Sequence, residues 1–306
     1  MIFRKSLKLM GNRFDISVIS LNEHTAFENI DLAVSEIQRI EKLLTTFSNE
    51  SVTYVINENA GIKPVVVPNE VFELISRCQM ISKVSQGAFD ISYGSIDKRF
   101  WNFDLNMLQL PDKEQAKKSV HLINYENIIL NHDESSIFLR EKGMRIGFGG
   151  IGKGYAAEMA KKILVNNGVT SGIVNAAGDL TAWGYQENGK PWTVGIADPN
   201  KNEAIFSTFE ITNRSVATSG SYEKFVVIDG KKYSHTIDPK TGYPISGIKS
   251  VTVIADNAEI ADALATPVSI LGIEVGLDFI NQLPKIDCII IDDYNRMYHS
   301  KNIKLS

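Results

Sequence analysis

The sequence Gly147-Phe-Gly-Gly-Ile-Gly-Lys-Gly154 runs directly into a helical pattern from Tyr155 to Asn167, which Gly168 ends. Glycine lets a backbone approach an anion closely, and the start of a helix presents unpaired N–H groups with a partial positive charge. Lys153 adds a full positive charge in the first turn of the helix. The segment therefore predicts a cradle for a phosphate group at the start of this helix.

Two familiar phosphate-binding motifs nearly fit the glycine-rich segment, and both fail. The spacing Gly147-x4-Gly152-Lys153 matches a P-loop, but Gly154 stands where that loop needs a magnesium-binding Ser or Thr. The spacing Gly147-x-Gly149-x-x-Gly152 matches the dinucleotide fingerprint G-x-G-x-x-G, but the sequence lacks the regular β-α-β pattern in which that fingerprint occurs. A tight turn from a strand into a helix, with glycines that serve packing, explains the segment equally well. Both interpretations stay open on this motif alone.

Outside this segment, helical and strand patterns follow one another without a regular β-α-β order. This interleaving favours a mixed α+β fold over a doubly wound parallel sheet. The predicted strands are Arg13–Leu21, Gly172–Val174, Ile286–Asp292 and a hairpin of 127–130 with 136–139; the predicted helices are Ala26–Leu44, Val71–Ser85 and one that begins near Asp256.

The composition is that of an ordinary globular protein, with 306 residues, 43% hydrophobic and 22% charged. The net charge of -4 gives no general case for nucleic acid or an anionic membrane. No stretch reaches the length of a membrane span, and the first residues lack a signal-peptide pattern. We therefore expect a cytoplasmic protein as written, or a periplasmic or cell-envelope protein if a leader was removed. Cys78 and Cys288 are expected to be buried free thiols.

The segment Asp256–Ile270 combines an acidic residue and a hydroxyl residue at helical spacing. Asp256 and Glu259 predict a capping box at its start. Asp262 and Thr266 are four residues apart, so both oxygens lie on one face of the helix, as in a pair of ligands for Mg²⁺. An ordinary amphipathic helix with a surface aspartate remains the alternative.

His235 differs from the other histidines because it stands at the end of a strand pattern and just before the turn sequence Asp238-Pro-Lys-Thr-Gly242. A histidine in such a place can act as a general base near neutral pH. A histidine that is hydrogen-bonded within the turn is the alternative. Solvation is expected of the remaining histidines, which lie in polar segments: His24, His121, His132 and His299.

A family resemblance rests on eight short segments in a fixed order. They are Met10-Gly-Asn12, Leu44-Thr-Thr-Phe-Ser48, Gly87-Ala-Phe-Asp90, Gly149-Gly-Ile-Gly-Lys-Gly-Tyr155, Asn175-Ala-Ala-Gly-Asp179, Ala217-Thr-Ser-Gly220, His235-Thr-Ile-Asp-Pro239 and Asp262-Ala-Leu-Ala-Thr266. In this order the segments resemble the ApbE family of FAD:protein FMN transferases. Each segment is modest by itself, and the order of all eight carries the resemblance.

The resemblance implies a single α+β domain over residues 1–306, with mixed sheets and packed helices in two intimate lobes, a T-fold-like architecture and a central FAD and magnesium cleft. It makes His235 the catalytic base. It implies that Mg²⁺ is held by Asp262, Thr266 and the backbone carbonyl of Gly150. The residues implied to line the FAD site are Met10, Phe47, Ala88, Phe89, Asp90, Lys153, Ile237 and Ala265.

The implied reaction is a magnesium-dependent transfer of the FMN moiety of FAD to a Thr or Ser hydroxyl of a target flavoprotein, with release of AMP. A pyrophosphatase that hydrolyses FAD with water, and a non-catalytic FAD-binding protein, are the alternatives. Three positions depart from the family pattern. Gly147 and Ser221 stand where acidic residues are usual, and Ala177-Gly178 stands where two glycines are common.

Overall fold

The computed structural model describes residues 1–97, 109–197, 205–220 and 225–303, and it has the mixed α+β architecture that the sequence predicts. The helices are α1 (Glu23–Leu44), α2 (Val52–Glu58), α3 (Asn69–Val84), α4 (Lys113–Ser119), α5 (Gly152–Asn166), α6 (Ala258–Leu271) and α7 (Ile273–Asn281). Short 3-10 turns at Ile91–Ser95 and Tyr125–Asn127 complete the helical part.

The strands form one large antiparallel sheet and three small ones. They are β1 (Ile2–Leu9), β2 (Asn12–Ile19), β3 (Val65–Val66), β4 (Ile128–Asn131), β5 (Ser136–Leu139), β6 (Gly172–Ala176), β7 (Asp179–Trp183), β8 (Trp192–Ala197), β9 (Ile205–Ile211), β10 (Arg214–Gly220), β11 (Phe225–Ile228), β12 (Lys231–Ser234), β13 (Ile248–Ala255), β14 (Asp287–Asp292) and β15 (Met297–His299). The eight-stranded sheet has the order β1-β2-β6-β7-β10-β13-β14-β15. The small sheets are β3-β5-β4, β8-β9 and β11-β12.

Helix α1 illustrates how the apolar pattern builds the core. Asn22 caps its first turn by accepting a hydrogen bond from the Thr25 N–H at 3.1 Å. Its apolar residues recur at three- and four-residue spacing, so one stripe, which includes Ile30 and Ile37, is fully buried. This stripe packs against β1, β2 and α5, which places α1 and α5 on one face of the large sheet.

The register of the large sheet brings two hairpin turns to the same end. Phe14 of β2 pairs with Ala176 of β6, so the β1–β2 turn at Met10-Gly11 lies at the same end as the β6–β7 turn at Ala177-Gly178. In both turns the two central residues have positive φ, the conformation that two-residue hairpins favour. This end of the sheet faces the glycine-rich segment that opens α5.

The predicted helices, hairpin and strands are confirmed with small shifts of their ends, but the predicted cap of α6 is wrong. Asn257 is the cap, and its side chain accepts from the Ile260 N–H at 3.3 Å. Asp256 lies one residue too early and forms ion pairs with Arg214 and Lys285 instead. Glu259, which a capping box would turn back toward the cap, is held by the ion pair with Arg77 described below.

Two further expectations are confirmed. Cys78 and Cys288 are buried free thiols, and burial raises the pKa of both. The four histidines in polar segments are exposed. Within the described ranges, no helix has the length and apolar character that a membrane crossing requires.

Candidate active site

Two cavities meet along the glycine-rich segment. The first, of about 290 Å³, is lined by residues that include Phe89, His235 and Thr266. The second, of about 560 Å³, is lined by residues that include Met10, Phe47 and Lys153. Gly147 and Gly149 line both cavities, so the loop from Gly147 to Gly150 forms a wall that the two share. Ten of the twelve sequence-predicted site residues, from distant parts of the chain, line this two-part cleft; Asp262 and Ala265 line neither cavity.

Helices α5 and α6 pack closely together at Gly154. A Cβ atom at this position would lie 2.2 Å from the Ala258 carbonyl oxygen and 2.7 Å from the Asp262 Cβ. The Gly154 N–H donates a hydrogen bond of 2.9 Å to Asp262 Oδ2. Packing therefore requires this glycine. A Cβ at Gly149, by contrast, would meet nothing within 4 Å, so the loop glycines that line the cavities are not required for packing.

Asp262 is buried below the cleft, at 7% exposure, and is not the surface residue of the alternative interpretation. Burial raises the pKa of its carboxyl well above the usual range, and the nearby Asp179 raises it further. Lys153 and the Gly154 N–H lower it in part. One turn later, Thr266 lines the first cavity, with its Oγ1 3.9 Å from the position of a Cβ on Gly150.

The Arg77–Glu259 ion pair fixes the first turn of α6. Its two contacts, Nε–Oε1 at 2.6 Å and Nη2–Oε2 at 3.0 Å, are bidentate, and Glu259 is buried. Arg77 belongs to α3, so this pair joins α3 to the helix that carries Asp262. Because the pair is bidentate and partly buried, it restricts how α6 can rotate.

Lys153 and Asp179 form an ion pair of 2.6 Å across the cleft wall. Asp179 directly follows the Ala177-Gly178 turn, and its Oδ1 accepts from the Thr218 N–H at 3.3 Å. Its side chain is almost fully buried, so its charge acts on Lys153 and Asp262 with little screening. Asp179 lies within a sequence motif, but no role is predicted for it from the sequence; the signal for one is an acid that directly follows a tight glycine turn.

Met10 and Phe47 both line the second cavity. Met10 has φ 51, a left-handed conformation that costs a non-glycine residue about 1–2 kcal/mol. The turn brings its Cε to 3.7 Å from the position of a Cβ on Gly152. Phe47 is 99% exposed, which is unusual for so large an apolar side chain. A planar apolar ligand in this cavity would cover the Phe47 ring.

Asp90 holds its own loop. Its Oδ1 accepts from the Ser92 N–H at 2.8 Å and the Ser92 hydroxyl at 2.6 Å, and its Oδ2 accepts from the Tyr125 N–H at 2.8 Å. Burial raises the pKa of this carboxyl. The neighbouring Ala88 and Phe89 are buried and face the first cavity. The geometry thus makes Asp90 the residue that fixes the cavity wall.

His235 lies directly after β12 and is exposed at the first cavity. The segment that follows is fixed by a bridge between Ile237 and Pro244 and by a hydrogen bond from the Ile237 N–H to the Tyr93 hydroxyl at 3.2 Å. Burial raises the pKa of Tyr93 to about 12, so this hydroxyl is neutral at ordinary pH. Tyr93 is not among the site residues predicted from the sequence; its only signal there is a tyrosine within a polar loop close to Asp90.

The remaining positions that the sequence singles out have distinct places. Ala265 is 2% exposed within α6 and lines neither cavity. Ile237 is also buried, yet it contributes to the lining of the first cavity. Gly147 lines both cavities, and Ser221 lies outside the described residues. A metal site made only of His, Cys, Asp and Glu side chains, three or more together, does not occur in the described part of the chain.

Comparisons with known proteins agree on one family. The sequence profile of the ApbE family matches residues 10–290. The FAD:protein FMN transferase of Klebsiella pneumoniae (strain 342) is 32% identical over 292 residues, which cover 95% of this chain and 89% of that protein. The FAD:protein FMN transferase of Treponema pallidum (strain Nichols) is 29% identical over 295 residues, covering 92% and 80%.

Two crystal structures extend the comparison to the fold. The ApbE protein of Thermotoga maritima aligns with a TM-score of 0.87 at 27% identity, covering 98% of this chain and 97% of that chain. The flavinyl transferase ApbE of Pseudomonas stutzeri, in its apo form, aligns with a TM-score of 0.86 at 25% identity, covering 98% and 95%. The described α+β architecture is therefore that of the ApbE crystal structures.

Replacing Gly154 by alanine tests the close approach of α5 and α6. Because a Cβ has no space against Ala258 and Asp262, we expect Gly154→Ala to lower the free energy of unfolding by about 3 kcal/mol. Gly149→Ala is the matched control, since its Cβ meets no neighbour, and it should change stability by less than about 1 kcal/mol. Urea unfolding of the ligand-free protein measures both; equal stability of the two variants would contradict the packing role.

Proposed function

The chain belongs to the ApbE family, and from its site we propose that it transfers the FMN moiety of FAD to a Thr or Ser hydroxyl of an acceptor flavoprotein in a magnesium-dependent reaction that releases AMP. The protein is thus an enzyme, a FAD:protein FMN transferase. What we propose beyond this enzyme class is the identity of the metal, the acceptor hydroxyl and the leaving group.

The observation that carries the proposal is the two-part cleft along Gly147–Gly150. A dinucleotide is long, and two cavities that share a wall suit its two halves better than one round pocket does. Three of the four residues of the shared wall are glycines, and the start of α5 follows it, so a pyrophosphate can approach the glycine backbone and the positive end of the helix closely. Lys153 lies in the same first turn and adds a positive charge that is held by Asp179.

The oxygens near the shared wall suit magnesium. Asp262, Thr266 and the backbone carbonyl of Gly150 offer a carboxylate, a hydroxyl and a carbonyl, which are hard oxygen ligands. The buried Asp262 carboxyl, whose pKa is raised, is a group that a cation would stabilise in its charged form. We propose that these three residues hold Mg²⁺. The bound ion would neutralise negative charge on the pyrophosphate as AMP departs.

His235 is proposed as the base. The acceptor hydroxyl oxygen attacks the phosphorus of the FMN half, and the bond from that phosphorus to the bridging oxygen breaks. The hydroxyl proton passes to the His235 imidazole, and the bridging oxygen leaves with AMP. His235 suits this role because it is exposed at the cavity that also includes Thr266 and Gly150, where an acceptor can reach it.

We also propose that the remaining predicted residues contact the FAD. Met10, Phe47 and Lys153 line the second cavity, while Ala88, Phe89, Asp90 and Ile237 line the first. Ala265 differs from these residues, because it is buried within α6 and lines neither cavity. Its small size instead suits close packing beneath the cleft.

Incubation with FAD, Mg²⁺ and an intact flavoprotein that a related transferase modifies tests the reaction class. We expect AMP release together with an increase in acceptor mass that equals one FMN phosphoester. Release of AMP and free FMN in amounts that do not depend on the acceptor would establish a pyrophosphatase instead. FAD binding with no AMP at all would establish the non-catalytic alternative.

His235→Ala tests the base. Loss of general-base catalysis typically costs 10²- to 10⁴-fold in rate, so we expect transfer to fall by about that factor while the Kd for FAD stays within about twofold. His24→Ala, at an exposed histidine on α1, is the control and should keep full activity. A fully active His235→Ala enzyme would exclude this assignment.

Asp262→Asn tests the metal site. The amide can keep an oxygen for the Gly154 N–H but lacks the carboxylate charge, so we expect the magnesium concentration for half-maximal rate to rise by about tenfold or more. Asp256→Asn is the matched control, because this exposed aspartate precedes the same helix and should leave magnesium dependence unchanged. Magnesium titrations at saturating FAD compare the two variants; identical curves would exclude Asp262 as a magnesium ligand.

A further inference from the structure

We propose that the open edge of β1 binds an extended segment of the acceptor flavoprotein as an added strand, and so guides the acceptor hydroxyl to the flavin cleft. This inference rests on the proposed function, since it names the surface by which the acceptor of that reaction is recognised.

Strand β1 is the first of the eight-stranded sheet, and within the described ranges no strand pairs with its outer side. Met1 and Ser20 exchange two backbone hydrogen bonds, of 2.9 and 3.0 Å, across the β1–β2 pair. Bonded and non-bonded pairs alternate along an antiparallel ladder, so odd-numbered residues of β1 bond to β2. The N–H and C=O groups of Arg4, Ser6 and Lys8 therefore point to the open edge, and all three residues are exposed.

This edge leads to the flavin cleft. A shallow cavity of about 330 Å³ at the end of β1 is lined by residues that include Lys8, Gly11 and Asn12. Gly11 and Asn12 also line the second cavity of the cleft. With a rise of about 3.3 Å per residue, the edge at Lys8 lies only about 7 Å along the chain from Met10. A segment paired to β1 thus reaches the cleft without a long connection.

The charges on the outer face of β1 and β2 indicate what kind of segment fits. Arg4 and Arg13 share a single carboxylate, that of Asp15, at 3.1 and 3.2 Å. Lys8 stands directly opposite Arg13 in the register, which places like charges together. The face therefore carries a surplus of positive charge close to the cleft. An extended segment with acidic residues at alternate positions complements it, in the manner of strand addition to a sheet edge.

The same charges disfavour a second copy of this chain as the occupant. If two β1 edges paired in antiparallel order about Ser6, Arg4 of each strand would face Lys8 of the other. Like charges directly opposite one another destabilise a strand pair, and basic edges are a common protection against self-association. An acidic partner strand would instead be attracted to β1 by the positive charges of Arg4 and Lys8.

Ser6→Pro and Ser6→Ala form a matched pair that tests the edge. Proline removes the outward N–H and its ring obstructs an added strand, yet an edge strand tolerates it because that N–H is not used in the sheet. Alanine keeps the N–H, and both variants lose the same hydroxyl contact with Asp15. Because one or two backbone hydrogen bonds are lost, we expect Ser6→Pro to raise the KM for the acceptor flavoprotein about tenfold over Ser6→Ala. The Kd for FAD and the Tm should be the same in both.

The possible results of this experiment distinguish failure of the β1-edge proposal from failure of the proposed transfer reaction. Equal KM values for the two variants would overturn the edge proposal while leaving the transferase in place. Wild-type enzyme that cleaves FAD without modifying any acceptor would overturn the proposed transfer before the variants are compared. If Ser6→Pro fails to fold, two charge-reversal variants test the proposal instead. Lys8→Glu should raise the KM for the acceptor several-fold, whereas Lys63→Glu, at an exposed lysine outside β1, should leave this KM unchanged. Equal KM values here overturn the proposal as well.

Amide hydrogen exchange of the wild-type protein gives a second measurement that needs no variant. Saturating acceptor flavoprotein should slow exchange at Ser6 and Lys8, whose N–H groups face the edge, and leave Leu7, already bonded to β2, unchanged. Unchanged exchange at Ser6 and Lys8 would overturn the proposal. Slowing that depends on enzyme concentration without acceptor would assign the edge to a second copy and overturn it too.

Discussion

The absence of a side chain at Gly154 is the constraint on which the cleft depends. With no Cβ there, the first turn of α5 lies directly on α6, and the Gly154 N–H bonds to Asp262. One contact thereby sets three things: the height of the glycine loop above α6, the burial of the Asp262 carboxyl, and the direction in which Thr266 faces the first cavity. A larger residue would push the two helices apart and separate the loop from its oxygen ligands.

Burying charge at this contact is costly, and neighbouring groups offset the cost in part. Asp262 and Asp179 are both buried and repel each other, which raises the pKa of Asp262 beyond the effect of burial alone. Lys153 is the counter-charge, yet it pairs with Asp179 at 2.6 Å. The cluster is therefore richer in negative charge than in positive charge where the proposed metal binds. Such a site favours a bound cation, and cation binding would be coupled to loss of a proton from the Asp262 carboxyl.

The sequence could predict whatever follows from local periodicity, and the pairing of Asp262 with Thr266 on one face of α6 is the best example. It could not predict the Lys153–Asp179 pair, because strand register and helix packing bring these residues together. The prediction of the α6 cap was wrong because two adjacent residues, Asp256 and Asn257, both suit a cap. Only the backbone conformation decides between them. The order of the motifs supplied the family, and the assignment of residues 1–306 to one domain stays a prediction.

The cleft is asymmetric in exposure, and this bears on its choice of acceptor. Of the groups proposed for metal and phosphate, Asp262 is buried and the others (Gly150, Lys153 and Thr266) are partly buried, whereas His235 and Phe47 are open to solvent. An enclosed base would admit water and small alcohols but exclude a protein. An exposed base admits both, so selectivity for a protein hydroxyl has to come from surface contacts outside the cleft. An edge strand that ends at the wall of the cleft supplies such contacts at the right distance, and it does so without narrowing the opening that the acceptor must enter.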